Sequence, residues 1–128
     1  MTVDHLIFTM AKAIATVEGF YRGGDQVSRK LNNPGCLLHW KDTRGRPYPE
    51  TNGFVEFPNV KIGWRALRAQ VSINVRKRRC SLFEFFCGKP RYRGFCKQGD
   101  NAERYALDVA NVLNIDTHNL PMVELCER

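Results

Sequence analysis

The stretch Ala15–Gly24, ATVEGFYRGG, decides where the first helix of this 128-residue chain ends and where the remainder of the fold begins. Upstream of it, apolar residues recur at three- and four-residue steps from Val3 to Tyr21, which is the pattern of an amphipathic helix. Glycine ends helices readily because it adopts backbone conformations that other residues avoid. We therefore expect the helix to end at the glycine pair 23–24 or earlier, at Gly19.

Glu18 lies directly before Gly19 and continues a stripe formed by Ile7, Ala11 and Ile14. It is therefore expected at the edge of the buried face, near the C-terminal end of the helix. Burial and the negative end of the helix dipole both disfavour an ionised carboxylate, so the pattern predicts a carboxyl group that retains its proton. A solvated helix end is the alternative, because most Glu residues at helix ends are merely solvated.

The whole sequence predicts a single α+β domain over residues 1–128, mainly helical, with a small hairpin between the first and second long helices. Thr2 is expected to cap the first helix. A hairpin of residues 35–40 with 53–57 is expected after it, followed by a helix after Pro58 with Val60 and Trp64 on its apolar face. A short helix capped by Ser81 and Glu84 comes next. The last helix is expected from Asp100 through Leu113, with Tyr105, Val109 and Val112 inward.

Composition places the chain among ordinary globular proteins. Hydrophobic residues make up 43% and charged residues 26%, which excludes the disordered and membrane-protein classes. No apolar run approaches the ~20 residues that a membrane helix needs. The N-terminus has neither a basic region nor a small-residue cleavage site, so we expect synthesis in the cytoplasm without a signal peptide.

The five cysteines form no recognisable framework. Their odd number argues against a set of disulfides, and Cys80, Cys87 and Cys96, separated by six and eight residues, match no common metal knuckle. We expect free, buried thiols, and neither a metal site nor a cofactor.

Positive charge is concentrated in residues 61–97. This segment has eleven basic residues against Glu84 alone, or +10, while the remainder has nine basic and twelve acidic residues, or −3, which together give the net charge of +7. Such a block suits a polyanionic partner, whether an anionic cell-wall polymer, nucleic acid or a membrane surface. A solvated helix face explains the same pattern.

Five motifs carry a resemblance to a known family. They are IATVEGF at 14–20, NNPG at 32–35, GFVEF at 53–57 before Pro58, GWRAL at 63–67 and DNAERYALDVANVL at 100–113. In this order and spacing, over roughly residues 5–116, the chain resembles the small lysozyme-like, lytic-transglycosylase-like domains of bacteriophages and some bacteria. The resemblance implies a lysozyme-like fold and cleavage of the β-1,4 bond between N-acetylmuramic acid and N-acetylglucosamine in peptidoglycan.

The resemblance also implies roles for residues of this chain. Glu18 corresponds to the family's general acid, which protonates the leaving oxygen of the glycosidic bond. The Asn-Asn-Pro-Gly turn opens the hairpin that walls the glycan cleft, so Asn32, Asn33 and Gly35 are candidates for substrate binding. The family often has Asn where this chain has Cys36, so a substrate hydrogen bond is expected to be missing there.

Tyrosines and further carboxylates supply the other candidates. Tyr105, in the last helix, is expected near the site by resemblance, and Tyr21 is a candidate for stacking on a sugar ring. Glu56 and Asp25 are candidates for the second carboxylate that a hydrolase of this kind uses. A lytic transglycosylase needs no second carboxylate, because the muramyl C6 hydroxyl attacks from within the substrate, and we favour that mechanism.

Two functions of different classes follow from these observations. The first is a monomeric peptidoglycan-cleaving enzyme that binds glycan strands and acts at the cell wall or periplasm, or as part of a phage virion. The alternative is a non-catalytic protein of the lysozyme fold whose basic 61–97 face binds nucleic acid or a structural partner in a virion. Substitution of Glu18 separates the two, because only the enzyme depends on that residue.

Overall fold

The computed structural model describes residues 2–22, 24–90, 94–95, 101–115 and 119–126. Within them the chain is mainly helical with one two-stranded antiparallel sheet, which confirms the expected mainly helical α+β class. The helices are α1 Val3–Val17, α2 Val27–Lys30, α3 Val60–Ser72, α4 Leu82–Cys87 and α5 Ala102–Leu113, and the strands are β1 Glu50–Thr51 and β2 Phe54–Val55. Short 3₁₀ turns at Phe20–Arg22 and Met122–Leu125 and a π-helical turn at Ile73–Lys77 complete the set. None of the described helices is long and apolar enough to cross a bilayer.

The chain divides into two compact units, one formed by the segments 1–13 and 71–128 and the other by residues 14–70. The core of the 14–70 unit comprises Ile14, Ala15, Phe20, Leu31, Leu37, Val55, Phe57, Ala66 and Leu67. The core of the other unit includes Leu6, Ile7, Met10, Val71, Val75, Leu82, Phe85, Phe86, Ala106, Val109, Met122 and Val123. The single domain over residues 1–128 stays a prediction.

Helix α1 begins and ends at residues that the sequence indicates. The Thr2 hydroxyl oxygen accepts a hydrogen bond from the His5 N–H at 3.0 Å, so the expected N-cap is confirmed. At the other end Gly19 has φ of +79°, in the left-handed region that stops a helix. Of the two expected ends, the earlier one is therefore correct.

The hairpin lies between the first and second long helices, as expected, but the expected strand of residues 35–40 is wrong. Strand β2 pairs with β1, which falls in a stretch expected to be loop. The two strands are joined by Asn52 and Gly53, with φ of +53° and +85°, the pair that a tight hairpin turn prefers. Residues 35–40 contribute one bond to this region, from the Val55 N–H to the Leu37 carbonyl at 2.9 Å.

The segment between Leu37 and β1 closes on itself. Lys41 and Pro47 form an isolated antiparallel bridge, and the Tyr48 N–H donates to the Trp40 carbonyl at 3.0 Å. Within the bridge, one carboxylate oxygen of Asp42 accepts from the backbone N–H groups of residues 44 and 46, at 2.8 and 2.9 Å. The loop therefore has its own hydrogen bonds.

Helix α3 buries a narrower face than its sequence predicts. Leu67 and Val71 are fully buried, but Val60 is 40% exposed and Trp64 is half-buried, so the expectation for Val60 is wrong. Val60 is the first residue of the helix and lies one turn before Trp64, at the margin of the packed surface. The described chain continues from α3 into the π-helical turn, where Asn74 is buried.

The expected cap is confirmed for α4, whereas α5 begins two residues later than expected. Ser81 and Glu84 form the expected capping box, each side chain accepting from the other residue's backbone N–H. Helix α5 begins at Ala102 with Asn101 as its N-cap, while Asp100 lies outside the described residues. It ends at Leu113 as expected, but Val112 is 49% exposed rather than inward, because the buried face follows Ala106, Val109 and Ala110.

Candidate functional site

Glu18 is the first residue after helix α1. It is half-buried, and its backbone N–H still donates to the Ile14 carbonyl at 2.9 Å in the helical pattern. The side chain therefore starts from the C-terminal end of the helix, where the unpaired carbonyls make the local potential negative. The left-handed Gly19 then turns the chain away, into the 3₁₀ turn Phe20–Arg22.

Ser28, which was not among the candidates expected from the sequence, connects the end of α1 to the Asn-Asn-Pro-Gly turn. Its side chain is buried, with 1% exposed, and its hydroxyl donates to the Glu18 carbonyl at 3.2 Å. Its own carbonyl accepts from the Asn33 N–H at 2.8 Å. One residue of α2 thus satisfies a helix-end carbonyl and fixes the start of the turn. This role is hard to predict from the sequence, because the hydroxyl of Ser28 bonds to a residue ten positions away.

Asn33 uses its whole side chain to hold the fold. It is 1% exposed, and its amide nitrogen donates to the carbonyls of Leu37 and Val55 at 3.0 and 2.9 Å. Its carbonyl oxygen accepts from the Leu37 N–H at 2.9 Å. This side chain therefore bridges the backbones of Leu37 and of Val55 in β2. In this conformation Asn33 stabilises the turn, and its amide has no donor left for a ligand.

Asn32 and Gly35 lie against helix α3. Asn32 has φ of +54°, and its side-chain nitrogen donates to the Phe57 carbonyl at 3.1 Å. A Cβ atom at Gly63 would lie 1.9 Å from the Asn32 carbonyl oxygen, and one at Gly35 would lie 2.5 Å from Leu67 Cδ1. The glycines of the NNPG and GWRAL motifs therefore allow the turn and the helix to approach closely.

Cys36 follows this turn in an unusual backbone conformation. Its φ is +49°, in the left-handed region that Asn and Gly adopt more readily than other residues. The side chain is half-buried. Asn, which the resemblance implies at this position, would therefore suit this backbone conformation better than Cys.

Glu56 lies at a shallow cleft of about 380 Å³ beside the hairpin. The cleft is lined by Asn32, Tyr48, Pro49, Glu56, Phe57 and Pro58. Glu56 is exposed, and its backbone N–H donates to the Pro49 carbonyl at 2.8 Å, while the Tyr48 ring packs on Phe57 at 5.2 Å. Two candidates from the sequence, Asn32 and Glu56, are thus brought to one cleft.

Asp25 lies at a different and smaller cleft of about 160 Å³, lined by Asp25, Val27, Lys30, Leu31, Thr51 and Asn52. Its carboxylate is almost fully exposed and is 3.6 Å from the Lys30 ammonium nitrogen. Among the described residues, Glu18 belongs to the lining of neither this cleft nor the one at Glu56. The candidate carboxylates therefore occupy separate local settings.

Tyr21 belongs to an aromatic cluster with Phe20 and Trp64. The ring centroids of Phe20 and Trp64 are 5.5 Å apart and those of Tyr21 and Trp64 are 6.3 Å apart. Phe20 is buried, whereas Tyr21 is 56% exposed. An exposed aromatic surface thus lies next to the end of α1, and Trp64, expected on the apolar face of its helix, is part of it. The role of Tyr21 in stacking on a sugar ring stays a prediction.

Tyr105 lies on α5, in the unit formed by segments 1–13 and 71–128. Its half-buried ring packs on Phe86 at a centroid distance of 4.5 Å and on Phe95 at 6.4 Å. These contacts give Tyr105 a packing role within its own unit, and its expected place near Glu18 stays a prediction.

The basic residues 76–79 are partly compensated by carboxylates. Arg76 is ion-paired with Asp4, and Arg79 lies 3.8 Å from a carboxylate oxygen of Glu124. The positive charge of this stretch is therefore smaller at the surface than the sequence suggests.

The expectation of buried thiols holds for Cys80 alone among the described cysteines, since Cys36 and Cys126 are half-buried and Cys87 is exposed. Burial raises the pKa of the Cys80 thiol, an effect that Lys89 opposes. Burial also raises the pKa of Cys87, with Glu103 adding to it. Cys96 lies outside the described residues, within which no three His, Cys, Asp or Glu side chains gather closely enough to hold a metal ion.

No family model, curated protein or solved structure matches this chain. The lysozyme-like fold and the peptidoglycan chemistry that the motifs imply therefore stay predictions.

Proposed function

We propose that this chain is a lysozyme-like glycosidase that cleaves peptidoglycan between N-acetylmuramic acid and N-acetylglucosamine, with Glu18 as the general acid. The position of Glu18 carries the proposal. It is half-buried at the C-terminal end of α1, and its main chain is held through Ser28 to the Asn-Asn-Pro-Gly turn. The resemblance of five sequence motifs to phage lysozyme-like domains supports the same assignment.

Physical chemistry explains why this position suits an acid. Partial burial and the negative end of a helix dipole both penalise a carboxylate, and the proposal requires Glu18 to keep its proton near neutral pH. A glycosidic bond breaks more easily when such a group donates its proton to the leaving oxygen while positive charge develops on the sugar. Glu18 is held by a helix end rather than by a loop tip, and this position preorganises the donor.

The proposed reaction is that of a lytic transglycosylase. Glu18 donates its proton to O4 of N-acetylglucosamine as the bond from that oxygen to C1 of N-acetylmuramic acid breaks. The muramyl C6 hydroxyl then attacks C1, and its proton passes to the Glu18 carboxylate, which returns to the starting acid. The nucleophile is tethered to the reacting ring, so no base is needed to position a water molecule. The products carry 1,6-anhydro-muramyl ends.

The two other carboxylates are dispensable in this mechanism. Glu56 is exposed at the cleft beside Tyr48, and Asp25 is exposed beside Lys30. An inverting hydrolase would need one of them about 6.5–9.5 Å from Glu18, with a water molecule between the carboxylates. The transglycosylase mechanism predicts instead that single Glu56→Gln and Asp25→Asn variants retain activity.

The first test substitutes the proposed acid. Glu18→Gln should lower the release of soluble fragments from purified peptidoglycan by about 100-fold or more, because it removes the proton while keeping the shape. Its melting temperature should be unchanged or higher, since the substitution removes a carboxylate from a half-buried position. Glu103→Gln, at an exposed position in the first turn of α5, is the matched control and should retain full activity.

Mass spectrometry of the fragments tests the mechanism. We expect 1,6-anhydro ends from the wild-type protein and from Glu56→Gln. Ordinary reducing ends, or a Glu56→Gln variant as inactive as Glu18→Gln, would establish a two-carboxylate lysozyme instead. Undiminished activity of Glu18→Gln would refute Glu18 as the general acid. No cleavage of any peptidoglycan chemotype by the wild-type protein would refute the proposed glycosidase function.

A further inference from the structure

The aromatic cluster at the end of α1 leaves one ring open to solvent. Phe20 is buried and meets Trp64 edge-on at 5.5 Å, and Tyr21 leans on Trp64 with an angle of 37° between the rings. Tyr21 is 56% exposed, so much of its ring surface faces water. The Tyr21 ring therefore packs against Phe20 and Trp64, with centroid distances of 5.5 and 6.3 Å, and presents the rest of its surface to solvent.

Cations accompany this cluster. On α3, Lys61 lies three residues before Trp64 and Arg68 four residues after it, and Arg65 lies four residues after Lys61. The Arg29 guanidinium lies 4.7 Å from the centre of the Phe20 ring. We name Tyr21, Arg29, Lys61, Trp64 and Arg65 the aromatic–cationic surface.

The cations of this surface differ in their ion pairs from the arginines at 76 and 79. Among the described residues, no carboxylate lies within ion-pair distance of Arg29, Lys61 or Arg65, each of which is exposed. Arg76 and Arg79, by contrast, each have a carboxylate partner in the structure. The positive charge of the aromatic–cationic surface is therefore available to a polyanion, whereas the charges of Arg76 and Arg79 are partly neutralised by their carboxylate partners.

We propose that the aromatic–cationic surface binds single-stranded nucleic acid. Such strands present phosphates at regular intervals and unstacked bases, and proteins bind them by combining cations with aromatic rings on which bases stack. Duplex DNA keeps its bases stacked inside, and an anionic polyol phosphate has no π-face, so both would use the cations alone. This activity does not rest on the proposed glycosidase function, since it requires neither Glu18 nor the hairpin cleft.

The test uses fluorescence anisotropy of a labelled 20-nucleotide oligothymidylate with the full chain at several salt concentrations. Tyr21→Ala should weaken binding by roughly 5- to 150-fold through loss of one stacked base, while Tyr21→Phe should bind like the wild type. The double variant Lys61→Gln/Arg65→Gln should weaken binding and reduce the slope of log K against log[salt] by about 1.4, or ~0.7 for each lost phosphate contact.

Arg44→Gln/Arg46→Gln is the control for charge, because it removes two exposed cations from the loop between Lys41 and Pro47. It should leave the affinity and the salt slope close to those of the wild type. Circular dichroism establishes that each variant is folded. The proposal is overturned if Tyr21→Ala binds like the wild type, if both double variants weaken binding equally, or if poly(glycerol phosphate) competes as well as unlabelled oligothymidylate.

Discussion

Cys36 shows how one backbone angle limits the choice of residue. At φ of +49° an L-residue brings its Cβ close to the following carbonyl oxygen, and the cost is lowest for Gly and Asn. The resemblance suggested that Cys36 mattered for the loss of a substrate hydrogen bond. The structure adds a second consequence, which is that the residue type affects the stability of the turn itself.

We predict that Cys36→Asn is as stable as the wild type or up to about 1 kcal/mol more stable. Cys36→Val should lower the free energy of unfolding by about 1–2 kcal/mol, because a β-branched side chain fits the left-handed region poorly. Urea unfolding followed by circular dichroism measures both. The same two substitutions at Cys87, the last residue of α4, are the control and should differ little from each other. Equal stability of the two Cys36 variants would contradict the argument.

At the scale of elements, α3 and the Asn-Asn-Pro-Gly turn depend on each other. Gly63 has no room for a methyl group, since a Cβ there would lie 1.9 Å from a backbone oxygen. A backbone atom cannot move aside as the end of a flexible side chain can, so either the helix or the turn would have to shift.

Gly63→Ala is therefore predicted to destabilise the protein by about 1–3 kcal/mol or more. In most helices the same change stabilises by up to about 1 kcal/mol, so the expected sign is opposite to the helix propensity. Thermal unfolding measures the change. Lys61→Ala, on an exposed part of the same helix, is the control and should shift the melting temperature little. A Gly63→Ala variant more stable than the wild type would show that the close approach is absent.

Which elements could be predicted from the sequence depends on how local their determinants are. The start of α1, the capping box at Ser81 and the last residue of α5 are set by neighbours within four positions, and these predictions were confirmed. The expected strand pairing was wrong because the Asn33 side chain accepts from the Leu37 N–H and shares the Leu37 carbonyl with the Val55 N–H, so a single backbone bond links Leu37 to β2. The correct hairpin does have a local signal in the sequence, because the pair Asn52-Gly53 is typical of a two-residue hairpin turn.

The candidate site follows the same rule. The place of Glu18 at the end of a helix was predictable, because it depends on apolar periodicity and on the adjacent Gly19. The contribution of Ser28 was not, since its partner lies across a loop. The exposed side of Trp64 was missed because a tryptophan on a helical stripe is indistinguishable, by periodicity, from one in a core.

At the scale of the whole molecule, the buried thiol of Cys80 makes the stability of the fold depend on pH. Its raised pKa in the folded state means that the folded protein holds this proton more tightly than the unfolded chain does. The resulting stabilisation is fully present below the ordinary thiol pKa of 9.0 and is lost as the pH rises through the higher folded-state value. Stability should therefore decline in alkaline solution.

We predict that iodoacetamide modifies Cys87 in the native protein and Cys80 only after unfolding, because Cys87 is exposed and Cys80 is buried. Peptide mass spectrometry identifies the modified residues. A Cys80→Ala variant should lose part of the decline in stability above pH 9, although its absolute stability is also lower because of the deleted sulfur. Rapid native labelling of Cys80 would contradict its burial.

The self-closed loop between Lys41 and Pro47 offers a practical use. Its hydrogen bonds are internal, and both of its flanks are fixed, at Tyr48 by Trp40 and at Leu37 by Asn33. Lengthening such a loop costs little entropy, only ~0.6 kcal/mol for each doubling of its length. An epitope or a fluorophore-binding peptide grafted at Gly45 would therefore be displayed without disturbing the hairpin, and the protein would serve as a small carrier scaffold.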